Sequence, residues 1–395
     1  MYERSAIVVG GGIAGLAVAV GLRRIGWRVT VLERDPVFGA IGAGISLLAN
    51  GLRALDSLGM GAAVRDVGRR QSGGKISAPS GRLLTPMDDA AIEDRLGTAV
   101  YSFLRPELHN VLAQALPSDA LVPGALIRAL EQDGTGARVH FTTSDGDAVL
   151  DADIVIGADG LNSWVRSQMW PEHSGTAYSG ATVWRGVTSE SVESPRGIDQ
   201  TWGRGMEFGF SSLSGGRIEW HALANASRGT RYADELGEVR ARFGSWHDPI
   251  PAVLAATPPE AVLRHDIFDL VAPLPSYVRG RTVLIGDAAH AMQPHLGQGA
   301  GMALEDAVVL AAELRAGPDP ASALARYDHA RRPRTQAVAR NARRVGRMGA
   351  QLENRLVIMA RNTAMRLLPA SVGLRELVRT ADWTPVSLEG PMHKG

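Results

Sequence analysis

The sequence predicts an α/β fold: a parallel sheet flanked by helices, a separate antiparallel sheet, and helices at the C-terminal end. Three observations carry this reading. The first thirty-odd residues read as strand, glycine-rich turn, helix, strand and acidic residue. From about Ser174 to Tyr277, runs such as ATVWRGVT, MEFGFSSL and RIEWHALAN alternate with period two, the mark of strands with one covered face. The run RTVLIGDAAHAMQPHLGQGAGMALEDAVVLAAELRAG then returns to strand, loop and helix.

Ser5–Val9 is short, apolar and β-branched, suited to a strand buried on both faces. Gly10, Gly12 and Gly15 follow at G-x-G-x-x-G spacing. The first permits a tight turn, the second lets a pyrophosphate approach the backbone, and the third allows close helix–strand packing. A helix from Ala14 to about Ile25 points its free N–H groups and positive dipole end at that phosphate, and Gly26 ends it. Arg28–Leu32 is the second strand. Glu33 lies roughly 20 residues beyond the glycines, where a carboxylate accepts hydrogen bonds from a ribose diol and disfavours a 2′-phosphate. The unit is Rossmann-like and predicts a bound adenine dinucleotide.

At 395 residues the chain is long enough for two domains, or for one with a large insertion. A net charge of +1 gives no nucleic-acid footprint, which needs a clustered excess of Lys and Arg. Without cysteine, disulfides, thiolate metal sites and thiol catalysis are excluded. The N-terminus runs straight into the first strand with no room for a signal peptide, and no apolar run reaches the roughly 18 residues of a membrane span. The expectation is a cytoplasmic protein, monomer or homodimer, acting on a small molecule, with no nucleic acid and no membrane as partner.

After Glu33 a loop with Gly39, Gly42 and Gly44 leads to a helix near Asn50; it either contacts a flat cofactor ring or is simply flexible. VGRRQSGGKISAPSGRLLTP reads as a small hairpin belonging to a second domain. YSFLRPELHN is a strand end followed by a helix, with Pro106 at a first helical position and Arg105 just before it. A meander turned at Asp133-Gly134 and Asp145-Gly146 ends in the buried strand Asp153–Ile156. The expected division is 1–70, 98–173 and 275–345 for the nucleotide domain, 71–97 and 174–274 for a substrate domain, and 346–395 for a C-terminal helical segment with one amphipathic helix. The arginine-heavy stretch ARYDHARRPRTQAVARNARRVGRMG reads as a helix with a solvated charged face.

Two further motifs complete the pattern: IGADGLNSWVR, with Asp159, Gly160, Ser163 and Arg166 after a buried strand, and LIGDAAHAMQPHLGQGAGMALEDA, with Gly286, Asp287, Pro294 and the loop Gly297-Gln298-Gly299-Ala300-Gly301 running into a helix. In this order behind the first glycines, they resemble the single-component FAD-dependent aromatic hydroxylases, the family of p-hydroxybenzoate, salicylate, 3-hydroxybenzoate and urate hydroxylases. The likeness spans Ile7 to about Arg334.

The resemblance implies FAD as cofactor, NADH or NADPH as a transient co-substrate and O2 as oxidant, with oxygen added at flavin C4a and the hydroperoxide hydroxylating an aromatic or heteroaromatic ring. It places Gly10, Gly12, Ile13, Ala14, Gly15, Glu33 and Arg34 at the ADP site. Gly44 and Ser46 fall near the flavin, Arg105 matches a flavin-contacting arginine, and Ile127 lies on a strand bracketing the adenine. Asp159 and Gly160 belong to a motif linked to FAD and reduced nicotinamide, and Gly286-Asp287 to the carboxylate that holds the ribityl chain. The loop Pro294 to Gly301 leads into a helix whose positive end would favour an anionic reduced flavin. Two alternatives stand beside this reading: an epoxidase or polyketide-tailoring oxygenase, and a non-oxygenating flavoprotein that protects an unstable intermediate.

For the substrate the residues leave more open. Glu219, His221 and Leu223 share one strand face, with Ile218, Trp220 and Ala222 on the other. Periodicity does not say which face meets the flavin, and a solvent face accounts equally well for a Glu and a His. Arg185 either pairs a substrate carboxylate or caps a sheet edge. His295, after Pro294, stands beside the flavin as acid, base or packing residue, and His290 supports from behind. No metal is expected: His290 and His295 are off a single helical face.

Overall fold

The computed structural model describes residues 4–39, 42–87, 89–193, 197–368 and 378–388; the polar tail after 388 lies outside the described residues. A six-stranded sheet runs in the order Val278–Arg279, Thr282–Leu284, Ile154–Gly157, Ser5–Val9, Arg28–Leu32, Leu121–Val122, parallel except at its first edge. Its central strands are buried on both faces, which is why they read as unbroken apolar runs. The first helix spans Ile13–Arg24 and the strand before Asp159 is Ile154–Gly157, each one residue from expectation. Gly21 of that helix lies against Ala311 of the long buried helix Gly299–Ala316.

A seven-stranded sheet runs Leu263–Leu270, Thr176–Val187, Ile218–Asn225, Met206–Ser212, Ile198–Trp202, Gly74–Ser77, Leu83–Met87. The hairpin 74–87 thus joins it. One pairing departs from a wholly antiparallel sheet: Ile198–Trp202 and Gly74–Ser77 run parallel, because the hairpin arrives from a distant part of the chain rather than by a tight turn. The meander Leu126–Gln132, Ala137–Thr143, Gly146–Ala152 forms a separate three-stranded sheet.

The two faces of the larger sheet differ chemically. Trp184, Phe208, Phe210 and Trp220 point to one side and pack with Leu236, Val239 and Phe243 of helix Glu235–Phe243 and with Ile250, Val253 and Leu254 beyond it. Phe208 and Trp220 stack with ring centroids 5.6 Å apart. Each such buried side chain contributes roughly 1.5–3 kcal/mol. Arg185, Glu207, Ser211, Glu219 and His221 alternate with these residues and therefore point to the other side.

The helix Pro320–Met348 corrects one expectation. Its arginines do not form a single solvated face: Arg331 is 1% exposed and lies between Glu305 and Asp306. Two adjacent acids in a buried helix need a buried cation nearby, and charge counting along the sequence does not reveal a partner 25 residues away.

Candidate active site

The three glycine motifs meet at the end of the parallel sheet. Gly10 has φ +107°, and a Cβ there would stand 2.5 Å from the Ala158 carbonyl oxygen; one on Gly15 would stand 1.9 Å from that of Gly10. Gly12, between them, would meet nothing within 4 Å. The first and third glycines are therefore closed by backbone, and the second faces open space at the helix start, next to Ile13. Ala14 is backed by Gly286, 3.1 Å from a Cβ built there. The turn Gly10–Gly15 is thus braced by Ala158-Asp159 on one side and by Gly286 on the other.

Glu33 accepts from the backbone N–H of Gly11 at 2.6 Å and of Asp35 at 3.0 Å. The Ala125 N–H donates to the Glu33 carbonyl at 2.7 Å, so the strand bearing Ile127 starts beside the acid. Arg34 is exposed, 3.8 Å from Asp35. The strand Gly44–Leu47 pairs with Tyr101–Leu104, and the hydroxyls of Ser46 and Ser102 lie 2.7 Å apart across them. The Arg105 N–H donates to the Ala43 carbonyl, and its side chain runs past Gly42, where a Cβ would come within 2.8 Å.

Asp159 accepts from the Ser163 hydroxyl and, at 3.0 Å, from the Val165 N–H, so its carboxylate organises the helix Trp164–Met169 after the turn at Gly160. Burial pushes its carboxyl up, against those bonds. Arg166, to which the sequence gave no role, ties two motifs together: buried, it donates to the carbonyls of Ala288 at 2.9 Å, Asp287 at 3.4 Å and Leu161 at 2.5 Å. Its place three residues after Ser163, whose hydroxyl accepts from its N–H at 2.9 Å, was the available signal. Asp287 itself is exposed, and its carboxylate has no hydrogen-bond partner among the described residues.

Past it, Pro294 opens a single turn Pro294–Leu296, Gly297 takes φ +61°, and Gln298 is buried and accepts from Asn50 at 2.9 Å. Gly299 is open, while a Cβ on Gly301 would stand 2.8 Å from Asn50, with Ala300 between them. The helix Gly299–Ala316 begins here, its unpaired N–H groups facing outward from the loop.

These observations fit FAD. Gly12 and Gly299 leave space where backbone would approach phosphate and flavin, Asp287 offers an acceptor without a partner, and Glu33 ends the second strand as a ribose acceptor must.

The charged face of the larger sheet closes on this cradle. Glu219, 9% exposed, lies against Gly44, whose Cβ would stand 2.3 Å from its Cγ, and accepts from the Ser211 hydroxyl at 2.8 Å. Glu219 is therefore not on a solvent face, while His221 is half-buried. Arg185 stands opposite His221 in the next strand, and burial pulls its guanidinium down, with Glu219 opposing and Arg105 adding to the effect. It donates to no acceptor among the described residues, so it does not cap a sheet edge.

His221 lies 3.3 Å from Glu207. His295 packs on Gly346, where a Cβ would stand 2.4 Å from the ring; burial holds it below the ordinary histidine value, with Glu207 opposing and His221 adding. His290 bonds Asp306 at 2.6 Å and supports the loop from behind, as expected. Sequence reasoning missed His265, exposed on the sheet face that bears Arg185, which partial desolvation and then Arg185, Arg231, Arg105 and Arg264 hold below its ordinary value. Among the described residues no His, Asp and Glu group could hold a metal ion, and no helix is long and apolar enough to cross a membrane.

Known proteins extend this geometry. The chain is 37% identical over 382 residues to aurachin C monooxygenase/isomerase of Stigmatella aurantiaca, covering 96% of this chain and 98% of that one. It is 37% identical over 350 residues to 3-amino-4-hydroxybenzoate 2-monooxygenase of Streptomyces cremeus, covering 86% of each. The structure of Klebsiella pneumoniae HpxO complexed with FAD and uric acid superposes with a TM-score of 0.88 at 27% identity, covering 96% of both chains. The model of the FAD binding domain matches residues 3–342. With a cradle built for FAD and relatives of this kind along nearly its whole length, the chain belongs to the FAD-binding-domain family and is an FAD-dependent monooxygenase that uses NAD(P)H and O2.

Proposed function

We propose that this monooxygenase, a cytoplasmic monomer or homodimer, hydroxylates a small aromatic or heteroaromatic molecule. The ring lies between the flavin and the sheet face bearing Arg185, Glu219 and His221. Residues 71–97 and 174–274 form the substrate side. One observation carries the reading: a half-buried arginine and a buried glutamate face the cradle and do not bond each other among the described residues, which favours a ligand that brings polar groups of its own.

Bound FAD supplies the activation of oxygen; Gly12 would admit its pyrophosphate, Glu33 its ribose and Asp287 its ribityl hydroxyls. The chain's own groups do the rest. Arg185 orients an anionic or carbonyl group of the ring, and Glu219, fixed by Ser211, accepts from a ring O–H or N–H. His295, held neutral by burial, is able to take a proton from a phenol or ring nitrogen, and His221 with Glu207 offers that proton a way onward. The sheet and the loop at Pro294 exclude water from the oxygen-transfer step. The nicotinamide donor visits transiently, since the sequence has no second nucleotide-binding unit.

A tailoring oxygenation or epoxidation is the second reading, favoured by the relative named monooxygenase/isomerase that covers 96% of the chain. One experiment separates the two. NAD(P)H oxidation and oxygen uptake are followed with hydroxybenzoates, purines and bicyclic nitrogen heterocycles, and the products are identified by mass and structure. Hydroxylated rings support the first reading and epoxides or rearranged rings the second. Glu219→Gln and His221→Ala are expected to lower kcat/KM about tenfold or more with unchanged FAD content; unaltered kinetics in both would place them outside the site. Asp287→Ala should weaken FAD about tenfold, the value of one charge-assisted hydrogen bond, at unchanged thermal stability.

A further inference from the structure

The C-terminal helix Arg355–Leu367 turns its apolar side away from the protein. It is well formed, with Asn354 accepting from the N–H groups of Leu356 and Val357 at 3.0 and 3.2 Å. Its inner side is mixed, made of the half-buried Ile358, Arg361, Asn362 and Met365. Arg361 donates to the carbonyls of Gly349 and Met348 and lies over the Trp202 ring, 5.3 Å from its centroid. Leu356, Ala360, Thr363, Ala364 and Leu367 follow one another at i, i+4, i+7, i+8 and i+11 on the outer side. Leu356 is 72% exposed, Met359 62% and Leu367 79%, so the stripe has no cover among the described residues.

The charge around it is lopsided. The whole chain has a net charge of +1, yet residues 338–368 contain seven arginines and one acid, Glu353. Arg343 is engaged by Asp269 and Arg361 by main-chain carbonyls. Arg340, Arg344, Arg347, Arg355 and Arg366 are exposed and form no ion pair among the described residues. Arg355 and Arg366 line one cleft beside the helix together with Arg82, next to Met359.

We propose that this helix docks the enzyme on the surface of a membrane containing anionic phospholipid. The apolar stripe enters the headgroup–acyl boundary, and Arg355 and Arg366 beside it pair with lipid phosphates. The sign of the charge selects this occupant. A second copy laid across the stripe would bring two arginine clusters together, and a nucleic acid would leave the leucines in water. The helix lies on the membrane without crossing it, so this reading is compatible with the lack of a spanning helix among the described residues.

The test uses the full-length holoenzyme and vesicles of phosphatidylcholine, alone or mixed with phosphatidylglycerol. The bound fraction is expected to rise at least about tenfold with the anionic lipid and to fall as salt is raised. Leu356→Ser/Leu367→Ser should lose binding to both vesicles, and Arg355→Gln/Arg366→Gln should lose only the anionic preference. Basal NAD(P)H oxidation in solution should be unchanged in either. Two results would overturn the proposal: wild-type protein that stays in the supernatant with both vesicles, or a wild-type dimer that Leu356→Ser/Leu367→Ser converts to monomer.

Discussion

Two clusters of charge, one fully buried and one partly so, lie on opposite sides of the cofactor cradle, and they differ in whether the protein completes them. Behind the cradle, Arg331 bonds Glu305 at 2.5 Å and Asp306 at 2.7 Å, Arg334 bonds Glu305 at 2.7 Å, and His290 and the Gly286 N–H both donate to Asp306. Asn50 joins Glu305 to the flavin loop through Gln298. Burial would push the Asp306 carboxyl up, yet His290 and Arg331 together hold it below the usual range. In front of the cradle, Arg185 has no acceptor among the described residues and Glu219 accepts from one hydroxyl. A closed cluster fixes shape, while an open one has hydrogen-bonding capacity left for a ligand.

Removing a charge from the closed cluster should have the largest effect. Arg331→Met takes away the buried cation that Glu305 and Asp306 share, leaving Arg334 to the first and His290 to the second, an expected loss of about 3–5 kcal/mol in urea unfolding. Because Asp306 also holds the Gly286 N–H, FAD retention should fall with it. A loss below about 1 kcal/mol for Arg331→Met would mean that this cluster does not brace the cradle.

The same kind of change in the open cluster should leave the fold alone. Arg185→Gln keeps a donor but removes the charge, so unfolding should shift by no more than about 0.5 kcal/mol. Substrate affinity should drop about tenfold, the worth of a hydrogen bond to a charged group. A large stability loss with unchanged KM would reverse the comparison and make Arg185 structural.

The cradle was legible in the sequence and the clusters were not, for a physical reason. Gly10, Gly12 and Gly15 are needed by the backbone itself, and a Cβ at Gly15 collides with a carbonyl only five residues away; local constraints of this kind leave local spacing. Period two on Ile218–Asn225 correctly separated Glu219 and His221 from Trp220, but the inward face is decided by helix Glu235–Phe243, which covers the aromatic side. Arg331 meets Asp306 across 25 residues, and nothing in its neighbours distinguishes it from the exposed Arg340 on the same helix. Tertiary pairing of charge leaves no periodic trace.

The smallest effect, and the finest test of the comparison, is the pH dependence of His295. Burial, with His221 adding and Glu207 opposing, places its folded pKa below that of the unfolded chain, near 6.5. Above pH 6.5 the ring is neutral in both states and the stability it permits is fully present. As pH falls from 6.5 down through the folded value, the unfolded chain takes up a proton before the folded ring does, and stability is lost over that window by at most about 1.4 kcal/mol per pH unit for one proton. His295→Gln removes that proton, so the gap in unfolding free energy between wild type and variant should be constant above pH 6.5 and shift in the variant's favour below it. His265 carries a shift of the same sign, so some acid loss should persist in the variant. A parallel pair of curves down to pH 5 would mean that His295 protonates freely where it sits, making it as solvated as a surface histidine and removing it from the open cluster.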